Sequence, residues 1–148
     1  MSNETEPSMG LIIGTARRVI LKELQSVFIE HEIPLTIEQY IFIYSLNQLE
    51  GEITQQDMAN LICKDKSAIL RTIDVLEEQG LVMRHNDNVD RRKKTLTITE
   101  KCNKILEDVS VIEKQMMDRL RKGISDEDYQ AMVRVMTQIQ DNANNKNK

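Results

Sequence analysis

A chain of 148 residues is about one domain's length, long enough to bury a core without staples. Its 40% apolar and 30% charged residues exclude a disordered chain, and 20 Lys+Arg against 24 Asp+Glu, a net charge of −4, exclude a uniformly basic coat for nucleic acid. Five aromatic residues (Phe28, Tyr40, Phe42, Tyr44 and Tyr129) and no Trp are too few to stack the bases of a single strand.

With five Gly and two Pro, the composition favours helix. Leu11, Ile12, Thr15, Val19, Val27 and Phe28 recur at helical spacing and predict a long first helix that stops before Ile33-Pro34. Thr36 is the expected N-cap of a second helix with Tyr40 and Ile43 on its core face and Tyr44 and Leu46 as further candidates. Glu50-Gly51-Glu52 reads as a turn. Thr54-Gln-Gln-Asp57 resembles a capping box with Asp in place of Glu, opening a short helix with Met58, Leu61 and Ile62 apolar. Ala59 is small enough to admit a second helix closely. Cys63-Lys64 then turns the chain, and Asp65 caps a helix running to about Gln79, which Gly80 ends in the left-handed position.

The period then changes. Leu81–His85 reads as a strand, Asn86–Asp90 as a turn, and Lys94–Ile98 as a returning strand. A hairpin directly after two short crossed helices describes a helix-turn-helix with a β wing. Beyond it, Ile105, Val109, Ile112, Met116 and Leu120 form one apolar helical stripe, and Ser125–Asp128 caps a last helix with Tyr129, Met132, Val133, Met136 and Ile139 inward. The first and last helices are too long and apolar for the winged module to cover, and pairing with a second copy is the simplest cover. The fold class expected is therefore mainly α in a single domain, 1–148. It comprises a winged helix-turn-helix core at 34–101 with a two-stranded wing, flanking dimerisation helices at 8–33 and 102–142, and a disordered tail at 143–148.

Local charge is more informative than the total. Residues 51–101 carry nine basic and nine acidic side chains, yet Arg84–Lys94 alone holds five positive against two negative. On the helix after Asp65, Ile69, Ile73 and Leu76 share the buried side, while Ser67 and Arg71 fall opposite, with Lys64 just ahead. Asp74 and Glu78 share the outer face but lie toward the C-terminal end. A recognition helix enters the major groove by its N-terminal half, so the cations stand where phosphates and base edges would be. A charge run on a hairpin is by itself an ordinary solvated turn; the preceding helix pair turns it into a sign of duplex binding.

Six segments occur in order: Pro-Leu-Thr-Ile-Glu-Gln-Tyr (34–40), Ile-Thr-Gln-Gln-Asp-Met-Ala (53–59), Asp-Lys-Ser-Ala-Ile-Leu-Arg (65–71), Leu-Glu-Glu-Gln-Gly-Leu-Val-Met-Arg (76–84), Asp-Arg-Arg (90–92) and Ile-Thr-Glu-Lys (98–101). Together they resemble the multiple-antibiotic-resistance regulator (MarR) family of bacterial transcription factors, strongly over 34–101 and by helix placement alone in the flanks. The resemblance implies a winged-helix homodimer that binds a pseudo-palindromic double-stranded operator, usually as a repressor, with a small aromatic or amphipathic effector as a candidate for its release. It implies DNA contacts from Lys64, Lys66, Ser67, Arg71, Arg84, Arg91, Arg92, Lys93 and Lys94, with Arg92 entering the minor groove and Asp90 bracing an arginine nearby. Tyr40, Tyr44 and Arg84 are the candidate lining of an effector pocket. Ala68 and Leu70 stand where the family often has polar residues, which shifts readout from hydrogen bonds toward DNA shape.

Competing classes are weaker. There is no Gly-rich phosphate loop, no nucleophile arrangement and no paired carboxylates in an evident cleft, so no enzyme is expected. His31 and His85 are too scattered for a metal, and no cofactor is expected. The rival readings are a winged-helix dimer serving as a protein-interaction module, and a redox-responsive regulator acting through Cys63. Cys63 and Cys102 form no secreted-type framework, the N-terminal MSNETEPS reads as no signal peptide, and no apolar run spans a bilayer. The chain is expected to be cytoplasmic, with no membrane partner.

Overall fold

The computed structural model describes residues 6–62 and 64–145. The described elements are α1 (Met9–Glu30), α2 (Ile37–Gln48), α3 (Gln55–Ile62), α4 (Lys66–Glu78), β1 (Val82–Asn86), β2 (Lys94–Ile98), α5 (Glu100–Leu120) and α6 (Asp126–Asn145). The chain forms two compact units that divide between Lys114 and Gln115.

In the first unit, Ser8 starts α1 by accepting a hydrogen bond from the Leu11 amide at 3.2 Å. The helix ends in a left-handed residue: Ile33 N donates to Phe28 O and Glu32 N to Ile29 O, with Glu32 at φ +52°. That geometry favours Gly, so Glu32 carries a backbone cost at the turn into α2. Of α1, only Leu24 and Phe28 are buried; Leu11, Ile12 and Val19 remain more than half exposed.

Helix α2 begins with a reciprocal capping box between Thr36 and Gln39. Its buried residues are Tyr40, Phe42, Ile43 and Leu46. Phe42 lies about 200° around the helix from Tyr40, so α2 is covered on opposite sides, by α1, α3 and β2. This corrects the one-faced expectation: Phe42 belongs to the core and Tyr44 is 47% exposed, although its ring reaches Tyr40 at 5.7 Å. Tyr40 also meets Phe28 edge-on at 5.3 Å. Its hydroxyl donates to Glu113 Oε2 of α5 at 2.6 Å. Burial, then that bond and the carboxylate's charge, push the Tyr40 phenol well above its ordinary pKa.

The helix pair follows the expected chemistry. Thr54 N donates to Asp57 Oδ2 at 2.8 Å and Asp57 N to Thr54 Oγ1 at 3.1 Å, closing the box that opens α3. Asp65 Oδ1 accepts from Ala68 N at 2.9 Å and opens α4. Ile69, Ile73 and Leu76 are fully buried against a core that includes Met58 and Ala59. Gly80, at φ +71°, ends the segment. Thr99 Oγ1 then donates to Gly80 O, and Lys101 Nζ donates to Gln79 O, so orphan carbonyls at the end of α4 find donors from the start of α5.

Strands β1 and β2 pair antiparallel with Val82 opposite Ile98, Arg84 opposite Leu96 and Asn86 opposite Lys94. A further bridge joins Thr54 to Thr95, and Leu96 N donates to Ile53 O at 2.8 Å, so the residues before α3 flank β2 as a minimal third strand.

In the second unit, Ser125 Oγ accepts from Asp128 N at 3.0 Å and starts α6. Arg121 stacks over the Tyr129 ring at 3.9 Å and its guanidinium donates to Asp126 at 2.9 Å. No residue of α6 is buried, and Met132 and Val133, expected inward, are 47% and 40% exposed. The helix also continues through Asn145, past the expected start of the tail, with Gln138 Nε2 donating to Asn142 Oδ1. Among the described residues, no helix is long and apolar enough to cross a membrane.

Candidate nucleic-acid interface

Two cationic features stand out from this frame. The first is the N-terminal half of α4. Because Ile69, Ile73 and Leu76 fix the helix's inner side, Lys66, Ser67 and Arg71 are exposed, while Ala68 and Leu70 are half-buried beside them. No ion pair ties Lys66 or Arg71 among the described residues. Lys64, immediately before the cap, differs: its ammonium sits 3.1 Å from Glu38 Oε1.

The second feature is the wing loop. Asp87 Oδ1 accepts from Val89 N at 2.7 Å and from Asp90 N at 3.1 Å. Asp90 Oδ1 accepts from Arg92 N at 2.9 Å, and the Asp87 and Lys93 amides close the loop onto Lys93 O and Asp90 O. Bonds from the Val89 and Asp90 amides hold the Asp87 carboxyl below its usual range, so it stays ionised as a loop former. Both aspartates are thus engaged by backbone donors, and Arg91, Arg92, Lys93 and Lys94 are left exposed around them. Asp90, expected to brace an arginine nearby, holds Arg92 through that residue's backbone amide. Sequence reasoning missed the supporting role of Asp87, although an Asp two residues before a turn tip is a recurrent amide acceptor.

Arg84 requires a correction. Its side chain is only 17% exposed and its guanidinium is divided among three residues of two other elements. Nη2 contacts Asp74 Oδ1 at 2.5 Å, Nη1 contacts Glu77 Oε1 at 3.1 Å, and Nε donates to Gln55 Oε1 at 2.8 Å. It is a clamp joining β1 to α4 and α3, its guanidinium committed to these partners. Spacing offered one clue, since Asp74 and Glu77 sit three apart on one helix face. The identity of their cation needed the fold.

A cleft of about 650 Å³ lies between the end of α1 and the start of α2, lined by Gln25, Phe28, Ile29, Glu32, Ile33, Leu35, Thr36, Ile37 and Glu38. Tyr40, Tyr44 and Arg84 do not line it. Tyr40 is committed to Glu113, and Arg84 to its carboxylates. Cys63 lies outside the described residues. Cys102 is buried at 1% exposure, and burial pushes its thiol up to about 11, which makes it unreactive at neutral pH. Among the described residues, no cluster of His, Cys, Asp and Glu could hold a metal.

Comparison with known proteins agrees with this geometry. The model of the MarR family matches residues 35–94, which contain α2 to the end of the wing loop. Three solved structures share the fold at low identity. A MarR-family transcriptional regulator from Rhodococcus sp. RHA1 is 22% identical with a TM-score of 0.80, covering 93% of this chain and 96% of that one. Wild-type MarR of E. coli, in its apo form, is 17% identical with a TM-score of 0.76, covering 90% and 97%. BpsR of Bordetella bronchiseptica, whose DNA binding is regulated by 6-hydroxynicotinic acid, is 18% identical with a TM-score of 0.77, covering 95% and 99%.

Proposed function

We propose that the chain is a regulator of the MarR family, whose model matches residues 35–94, and that it regulates transcription by binding a pseudo-palindromic duplex operator as a homodimer, most simply as a repressor. The observation that carries this reading is the charge arrangement. The exposed N-terminal half of α4 offers Lys66, Ser67 and Arg71, and the wing loop offers four consecutive cations. Meanwhile Arg84 offsets one of the two negative charges of Asp74 and Glu77, and Asp87 and Asp90 are occupied by backbone amides. These four acids thereby have partners within the fold.

Each copy inserts the start of α4 into a major groove, with Arg71 and Ser67 at phosphates or base edges. The wing carries Arg92 toward the minor groove, where narrow A·T-rich stretches attract guanidinium. Two copies need recognition helices about 34–36 Å apart to meet successive grooves. A small amphipathic effector that favours another separation weakens binding through its differential affinity, and a coupling of about 1–3 kcal/mol is enough for a useful response. The cleft between α1 and α2 is the site offered for it, because it is concave, largely apolar in lining residues and edged by a few polar groups.

Arg71→Ala and Arg92→Ala test the interface assignment in a salt titration of DNA affinity. Each removes a cation that faces a phosphate or a groove, so the slope of log affinity against log salt becomes shallower by up to about 0.9 for every phosphate no longer neutralised. Slopes and affinities equal to wild type would remove both residues from the interface.

A further inference from the structure

We propose that Glu38 sets DNA affinity by holding Lys64 back from the phosphate backbone; this rests on the reading that α4 and the wing bind duplex DNA. Lys64 directly precedes Asp65, the N-cap of α4, at the end of that helix expected to approach DNA. A helix N-terminus favours anions, so a cation there adds to a position where a phosphate is already attracted. Yet the Lys64 ammonium is bound to Glu38 Oε1 at 3.1 Å. Among the described residues, Lys66, Arg71, Arg91 and Arg92 have no such ion pair, so Lys64 is the exception among the cations of this surface.

The two partners are not equally mobile. Glu38 is in the first turn of α2, whose start is pinned by the paired Thr36–Gln39 hydrogen bonds. The N-terminal dipole of α2 favours a carboxylate there whether or not Lys64 is present. Lys64 is a flexible four-carbon arm on the turn into α4, 46% exposed. The Glu38 backbone is therefore the fixed end of the pair, although its side chain is 76% exposed, and Lys64 is the longer arm that moves. An exposed pair of this kind is weak enough to open, but a phosphate must compete with the carboxylate for the ammonium. While the pair is closed, Lys64 releases no counterion from DNA. The pair thus subtracts one phosphate partner from the surface.

The test is a double-mutant cycle of wild type, Glu38→Gln, Lys64→Met and the double variant. Binding is read by anisotropy of a fluorescein-labelled random-sequence duplex over a range of salt, because phosphate binding is independent of sequence. Glu38→Gln is expected to tighten binding at low salt by up to roughly fivefold, the most that releasing an exposed ion pair returns. It is also expected to steepen the log affinity–log salt slope by about 0.9, one added phosphate. In the Lys64→Met background the same substitution is expected to change neither quantity. If Glu38→Gln tightens binding equally there, the effect is general charge removal and the latch is overturned. An unchanged slope in the Glu38→Gln single variant overturns it as well. Wild-type protein that shows no salt-dependent duplex binding would overturn the DNA reading itself, whereas salt-dependent binding with a null cycle overturns only the latch.

Discussion

Arg84 illustrates how a residue's role depends on partners far away in the chain. By sequence it belongs to the basic cluster that ends at Lys94, and charge alone assigns it to DNA. In the fold its guanidinium meets Asp74, Glu77 and Gln55, from two other elements, and it ties β1 to α4 and α3. Asp74 and Glu77 are 64% and 43% exposed and take up water when released, so Arg84→Gln should cost only about 1 kcal/mol of stability in urea unfolding. It should also weaken DNA binding without altering the salt slope, in contrast to Arg71→Ala, because it positions the helix and touches no phosphate. A shallower slope would return Arg84 to the interface. Cys102 gives a second residue-scale expectation. Its buried thiol, raised to about 11, should leave a Cys63→Ser variant unlabelled by a thiol-reactive dye at pH 8 until the protein is unfolded. Prompt labelling of the folded variant would contradict that burial.

The elements are most legible in the sequence where a local rule decides them. Thr54, Asp57, Asp65 and Gly80 act within four residues of themselves, and each is readable because caps and left-handed turns need specific side chains. Asp57 accepts from both the amide and the hydroxyl of Thr54, and these bonds lower its carboxyl below the usual range. A folded pKa below the unfolded value gives stability that is fully present above the unfolded pKa, near 4, and that is lost as pH falls through the folded value. Asp57→Asn should therefore cost about 1 kcal/mol at pH 7, the scale of a helix cap, and the gap from wild type should close as both are unfolded at progressively lower pH below 4. A gap independent of pH would mean that the carboxylate's charge does not hold the box. Helix α2 is less legible for a physical reason. It is covered on opposite sides, so no single apolar stripe marks its buried residues, and Phe42 escapes a reading by periodicity. The third strand escapes it too, because one bridging residue, Thr54, leaves no alternating pattern to read.

At the scale of the whole molecule, the long flanking helices carry the uncovered apolar surface. Leu11, Ile12 and Val19 of α1 are 64%, 53% and 51% exposed, and α6 buries none of its residues. Uncovered apolar side chains of this kind on a long helix are what a second chain buries. The sequence suggests this by the sheer length of its apolar periodicity, while what covers these side chains is not written in one chain's pattern. Sedimentation equilibrium should give twice the chain mass at micromolar concentration. Paired Leu11→Glu and Ile12→Glu substitutions should shift it toward monomer and weaken operator binding in step, because half-site occupancy then depends on assembly. A monomeric wild-type protein would contradict the dimeric arrangement. The central claim is that the α4 and wing cations read duplex DNA. Its most direct test is fluorescence anisotropy with the DNA upstream of the protein's own gene, titrated over salt against non-specific competitor. The account predicts preference of about 10³-fold or more, with affinity falling steeply as salt rises. Binding no tighter than to competitor, on that DNA and on sites recovered by genome-wide selection, would contradict it.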